Sequence, residues 1–158
     1  MTDHSGIREV AAEHQYCTFF LDTYYFGIDV LKVQEVIRYQ EMTRVPLAPS
    51  VVRGLINLRG QIVTALDLRR RLELPDRPEG TLPVNVVVHT DDGAVSLLVD
   101  EIGDVLQVPA KAFVRPPETL KGTARELIHG AYKLETRLLL ILDTARTVNV
   151  TNGRGSVG

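Results

Sequence analysis

No segment of this chain carries the three-to-four-residue apolar repeat of a long amphipathic helix; short runs rich in β-branched and aromatic residues instead alternate with turn signals. "QYCTFFLDTYYFGID" gives two runs, 15–21 and 24–29, that read as a hairpin about Asp22-Thr23. "VLKVQEVIRYQEMTRVPLAP" passes through a turn into an extended run that stops at Pro46 and Pro49. "VVRGLINLRGQIVTALDL" reads as two strands hinged at Arg59-Gly60, because glycine accepts a positive φ without a Cβ penalty. "RRRLEL" can supply one helical turn before the breakers "PDRPEG" at 75–80. "VNVVVHTDDGAVSLLVDEI" is the clearest hairpin, with Asp92-Gly93 at its turn. "VPAKAFVRPPETLKGTARE" reads as a proline-punctuated connection, and "LIHGAYKLETRLLLILD" as a last strand pair. Many short strands at this spacing predict a mainly β protein, either small barrels or a sandwich.

Sliding Gly54–Leu72 forward by 76 positions reveals an internal repeat. Gly54 falls on Gly130, Leu58 on Leu134, Ile62 on Leu138 and Leu66 on Leu142; Asp67 meets Asp143, Arg70 meets Arg146, and Leu72 meets Val148. A weaker echo sets "QEVI" (34–37) on "GDVL" (103–106). The pattern predicts two similar β lobes, near 15–75 and 82–148, between a polar lead-in at 1–14 and a loose tail at 149–158. Strands exchanged between the lobes are compatible with it. At the matching hairpin tips, Arg59-Gly60 stands opposite Glu135-Thr136. Strand architecture therefore does not require the arginine.

Composition narrows the function. Eighteen basic and 20 acidic residues nearly cancel, which argues against nucleic-acid binding. With no Trp and only 6% aromatic residues, a stacking face for single strands is also disfavoured. No apolar run reaches the ~20 residues of a membrane helix. The polar N-terminus lacks the apolar core of a secretory signal, so a cytoplasmic protein is expected. Cys17 is the single cysteine, so it forms no internal disulfide.

Catalytic groups are hard to assemble. His4, His14, His89 and His129 form no close ligand pair, and no metal site is expected. There is no nucleophile elbow, P-loop or dinucleotide fingerprint, and no cofactor is expected. "TDDG" makes a good turn but lacks the further oxygens of a calcium loop. The triplet Arg69-Arg70-Arg71 reads as a solvated helix start beside a carboxylate rather than a phosphate site. Arg59 has two readings on spacing alone: a solvent-exposed turn residue, or a guanidinium that a partner's carboxylate pairs with.

"FGIDVLKVQEVI" (26–37) followed by "RVPLAPSVVRGLINLRGQIVTALDLR" (44–69) resembles the CheW family of chemotaxis coupling proteins. "VDEIGDVLQV" (99–108) and "RLLLILD" (137–143) match its second half in order and spacing, so the resemblance spans roughly 15–148. It implies a single domain of two packed SH3-like five-stranded β-barrels with short helical segments. Thr64 stands where the family usually has a proline, and only about one helical turn follows Asp143.

The resemblance also implies a function. Family members are non-catalytic adaptors that bridge the cytoplasmic tips of methyl-accepting chemoreceptors to the regulatory domain of the histidine kinase CheA. Other CheW copies in the array are further partners. No direct membrane insertion is implied; the location is the cytoplasm, at the inner face of the membrane through receptor arrays. A receptor groove between the barrels would take Val33, Ile102 and Val105 as its apolar floor, Gly54 for close backbone approach, and Arg59 either paired with Glu35 or reaching a receptor side chain. Met42, Arg53 and Leu120 match positions near the kinase interfaces. A paralogous coupling protein of a non-flagellar chemosensory pathway, serving surface motility or second-messenger control, is the alternative.

Overall fold

The apolar runs and turn residues resolve into eleven strands and three short helices among the residues that this computed structural model describes, 13–150. β1 (Glu13–Leu21) and β2 (Tyr24–Asp29) form the first hairpin, and a single 3₁₀ turn leads into β3 (Val33–Ile37). β4 (Val52–Leu58) and β5 (Gln61–Asp67) enclose Arg59-Gly60, and α1 (Leu68–Arg71) is one helical turn. β6 (Val84–Thr90), β7 (Gly93–Val99) and β8 (Glu101–Pro109) follow. β9 (Phe113–Val114), α2 (Gly122–Leu127), β10 (Ile128–Lys133), β11 (Leu138–Leu142) and α3 (Thr144–Val148) complete the order.

Three local expectations are corrected. The β6–β7 turn centres on Asp91-Asp92, because Gly93 already pairs with Thr90 as a strand residue. The connection after residue 108 holds β9 and α2; these elements are too short to leave a periodic signal. His14, expected in the lead-in, belongs to β1. Residues 1–12, with His4, and 151–158 lie outside the described residues.

The lobe boundaries are also corrected. One sheet has five strands in the order β3-β6-β7-β5-β4; the other has six, β8-β1-β2-β11-β10-β9. The first unit is thus continuous from β3 to β7, with no break at 76–81. The second joins β8–β11 to the N-terminal hairpin. Parallel pairing of β2 with β11 (Tyr25 opposite Leu139) makes this exchange, and parallel β5–β7 pairing is its counterpart. The expected pair of five-stranded units is therefore one of five and one of six.

Each sheet curls. β3 and β4 would lie ~19 Å apart across a flat five-stranded sheet, at ~4.8 Å per strand. Yet Ile37 of β3 packs into the same cluster as Ile56 and Leu58 of β4. In the other sheet, Tyr16 of β1 and Tyr132 of β10 bring their rings to 5.5 Å, although β2 and β11 lie between their strands. Edges that would be far apart meet, which is how a sheet closes toward a barrel. Alternation then sorts the side chains. Val87 and Leu98 face the interior of the first barrel, while Val86, Val88 and Leu97 face a core shared with Phe19, Phe26, Ile28, Leu140 and Leu142 of the second.

The repeat is physical. β4–β5 carries a register shift between Val52 and Gly54, and β10–β11 carries one between Ile128 and Gly130. Gly54 then pairs with Ala65, and Gly130 with Ile141. Asp67 caps α1 through the Arg70 amide, and Asp143 caps α3 through the Arg146 amide.

Candidate adaptor surface

Arg59 occupies the β4–β5 turn with φ 51°, followed by Gly60 at 90°. Two successive positive-φ residues suit a two-residue hairpin turn, and the Gly60 amide donates to Asn57 Oδ1 at 2.8 Å. The turn aims the Arg59 guanidinium at Glu35 of β3, where the two form a direct ion pair. The hydrogen bond from Arg59, helped by one from Gln34, holds the Glu35 carboxyl below its ordinary range. Because β3 and β4 are the two edge strands of their sheet, this pair bridges the barrel's seam. The Arg59 side chain keeps 69% of its exposure, so its other N–H groups remain open to a partner.

Gly54 is buried for an internal reason. A Cβ there would meet the Thr43 carbonyl oxygen at 2.7 Å and Met42 Cβ at 3.0 Å. The close approach lets Thr43 and Leu55 exchange two 2.8 Å backbone hydrogen bonds. Gly54 thus admits the protein's own 42–43 segment, whereas the sequence reading placed a receptor there. Val33 is half-buried on β3 and packs against the shared core. Ile102 and Val105 lie on β8, the edge strand of the other sheet, with 36% and 57% of their surface exposed. The six expected groove residues therefore fall into two groups, four about the β3–β4 seam of the first barrel and two on β8 of the second.

The other three residues separate. Arg53 is exposed and reaches Asp67 at 3.4 Å. Met42 is half-buried against the first barrel's interior. Leu120 packs on the shared core. All three side chains are thus partly used by the fold.

The arginine triplet is corrected too. Arg69 is buried, not solvated. Its Nε and NH2 groups donate to Asp100 at 2.6–3.1 Å, and Arg77 donates to the same carboxylate at 3.1 Å. The Asp22 amide adds a further bond at 2.8 Å. Burial pushes the Asp100 carboxyl upward, but the Arg69 hydrogen bonds, the Asp22 amide and the two guanidinium charges outweigh it, and the net shift is downward. Arg70 pairs with Asp76, and Arg71 donates to the carbonyls of Arg146 and Thr147 near the end of α3. The triplet ties the chain to itself and leaves no phosphate cradle.

Two surface hollows stand out among the described residues. One is lined by His14, Asp29, Lys32, His129 and Asp143 above Tyr16 and Tyr132. Its aspartates are engaged as caps, accepting from the Leu31 and Arg146 amides at 2.9 and 3.0 Å. Among the described residues, no three His, Cys, Asp or Glu side chains approach closely enough to hold a metal. The other hollow is lined by Phe20, Tyr25, Ile102, Gly103, Asp104 and Arg137. Sequence reasoning missed it, because only the parallel β2–β11 pairing brings Tyr25 beside Arg137. No helix among the described residues is long and apolar enough to cross a membrane.

Comparison with known proteins accords with this geometry. Residues 15–151 match the model of the CheW-like domain. The chemotaxis protein CheW of Klebsiella aerogenes is 31% identical, with 94% of this chain and 92% of that protein covered. That of Treponema pallidum is 30% identical over 83% of this chain and 79% of its own length. Protein PilI of Pseudomonas aeruginosa is 26% identical over 70% of this chain and 62% of its own. The crystal structure of the scaffolding protein TtCheW from Thermoanaerobacter tengcongensis superposes with a TM-score of 0.77 at 23% identity, covering 87% of this chain and 93% of that one. With its twinned sheets and repeated hairpin, this chain belongs to the CheW-like domain family, and chemotaxis proteins CheW are among its relatives.

Proposed function

We propose that this protein is a non-catalytic cytoplasmic adaptor that couples the cytoplasmic tip of methyl-accepting chemoreceptors to the regulatory domain of the histidine kinase CheA. The observation that carries the proposal is the exposure of Ile102 and Val105 on an edge strand of a domain whose other large aliphatic side chains mostly fill three cores. Uncovered aliphatic side chains on an open strand edge suit the apolar face of a partner laid along that edge. A receptor helix laid against β8 would cover them, with Val33 and the Glu35–Arg59 pair at the opposite rim. Arg59 would then act twice, closing the barrel seam through Glu35 and offering its outer N–H groups to the receptor. Gly54 supports the site through the 42–43 segment.

The kinase surface is assigned to the first barrel around Arg53 and Met42, and in the second to the 115–121 connection that Leu120 anchors on the core. Two separated surfaces let one molecule hold two partners, so that later contacts within the assembly become intramolecular. Further copies of the chain can join by the same surfaces. The longer matches to chemotaxis CheW proteins, compared with PilI, favour this role over a paralogous pathway.

The test is binding to receptor-containing membranes by Val105→Asp and Arg59→Glu variants. Both variants are expected to keep the wild-type unfolding midpoint and to lose co-sedimentation. Undiminished co-sedimentation of both would refute the assigned surface.

A further inference from the structure

The hollow beside Ile102 has a built floor. Phe20 and Tyr25 are a cross-strand pair of β1–β2 with rings stacked at 4.8 Å. The Arg137 guanidinium lies over both, 5.2 and 5.0 Å from their centroids, a cation–π arrangement that fixes its plane. The platform is itself held. The Tyr25 hydroxyl donates to Thr18 Oγ1 at 3.1 Å, and Thr18 in turn donates to the carbonyl of Asp104 on β8. Gly103 lets β8 sit this close, since a Cβ there would meet Thr18 Oγ1 at 2.5 Å and the two rings at 3.4 and 3.5 Å.

Arg137 differs from five arginines of the first barrel. Arg53, Arg59, Arg69, Arg70 and Arg77 each pair with a carboxylate; Arg137 pairs with none among the described residues. The repeat explains why the place is open. Glu35 of β3 corresponds to Asp104 of β8, and in the first barrel the hairpin-tip arginine crosses the seam to the edge-strand carboxylate. In the second, the tip is Glu135-Thr136, and Arg137 lies on the aromatic pair instead. The seam there stays unbridged and forms the hollow.

We infer that Arg137, held on Phe20 and Tyr25, seats one carboxylate side chain of the receptor helix that the adaptor reading places along β8. This rests on that reading and adds a specificity residue to it. A guanidinium stacked by its face keeps its in-plane N–H groups available, and a carboxylate matches them bidentately. Ile102 lines the same hollow, so the aliphatic contact and the charged contact are continuous. Asp104 lines the same hollow, Glu101 lies three residues before it and Glu135 two residues before Arg137, and these exposed acids disfavour an acidic tract. The fitting partner therefore carries a single well-placed acid flanked by neutral or basic residues, not an acidic tract.

The experiment measures binding of the full chain to a chemoreceptor cytoplasmic-tip fragment across a salt series. Absence of binding by the wild type sinks the receptor reading itself. Once wild-type binding is seen, Arg137→Gln is expected to weaken it about tenfold and to flatten its salt dependence, with an unchanged urea midpoint. Arg137→Glu is expected to abolish binding, and one acid-to-lysine substitution in the fragment is expected to restore it. Wild-type affinity and salt slope in Arg137→Gln would overturn the inference, and so would failure of every acid-to-lysine change to rescue Arg137→Glu.

Discussion

Replacing Asp100 by alanine removes the carboxylate on which two buried guanidinium groups converge. The Arg69 and Arg77 side chains are each 8% exposed, and Asp100 is 20% exposed. Arg77 Nε is already buried without a partner, so it has little else to turn to. Arg69 keeps two carbonyl acceptors, those of Pro75 and Asp76. Breaking a fully buried pair by deleting one partner costs ~3–5 kcal/mol. Partial access of water to Asp100 and the retained carbonyl bonds place this case near the lower end, at about 3 kcal/mol. For a domain of this size, that corresponds to a fall of roughly 6–12 °C in Tm. Urea unfolding followed by circular dichroism gives the difference directly, with an unchanged m-value expected because the surface exposed on unfolding is the same. A loss below ~1 kcal/mol would mean that solvent compensates both guanidinium groups, and would refute the reading of this network as a structural clamp.

The same carboxylate gives a pH signature. Its folded-state pKa lies below the ordinary 3.8, so its contribution is complete above that value and is lost as pH falls through the folded pKa. Asp100→Asn is therefore expected to flatten the acid limb of the stability profile below pH 3.8; an unchanged limb would refute the assignment. Gly54→Ala and Gly130→Ala form a matched pair. The first forces a Cβ against the Thr43 carbonyl and should cost ~2 kcal/mol, while the second meets the half-exposed Phe113 ring, which can move, and should cost less. Equal losses in urea unfolding would show that the obstruction at residue 54 is not the backbone. A double-mutant cycle on Glu35→Gln and Arg59→Gln is expected to give a small folding coupling, ~0–1 kcal/mol, as for exposed pairs. A coupling above ~2 kcal/mol would make the seam bridge a major support of the barrel.

The hairpins, most of their turns and the twofold repeat were legible in the sequence because each is set by local chemistry. Gly54 and Gly130, Asp67 and Asp143 mark the same register shift and the same helix cap in both units. The division of strands between barrels was not legible. It depends on β2 meeting β11 from the far end of the chain, and a parallel contact of that separation leaves no local pattern. The Glu35–Arg59 ion pair, present in the structure, was one of the two roles that family resemblance implied for Arg59. Arg69 was misread for a definite reason: an arginine triplet looks solvated until Asp100, at the β7–β8 junction, is brought beside it. Phe20, Tyr25 and Arg137 escaped notice because their association is created by the strand exchange itself.

Adaptor function requires simultaneous occupancy of two surfaces. Receptor-containing membranes, CheA and this protein sedimented together measure it directly. The expected result is kinase retained in the pellet only when the adaptor is present, with Val105→Asp releasing both proteins from the membranes. Kinase retention that is independent of the adaptor, or an adaptor that excludes one partner when the other binds, would contradict it.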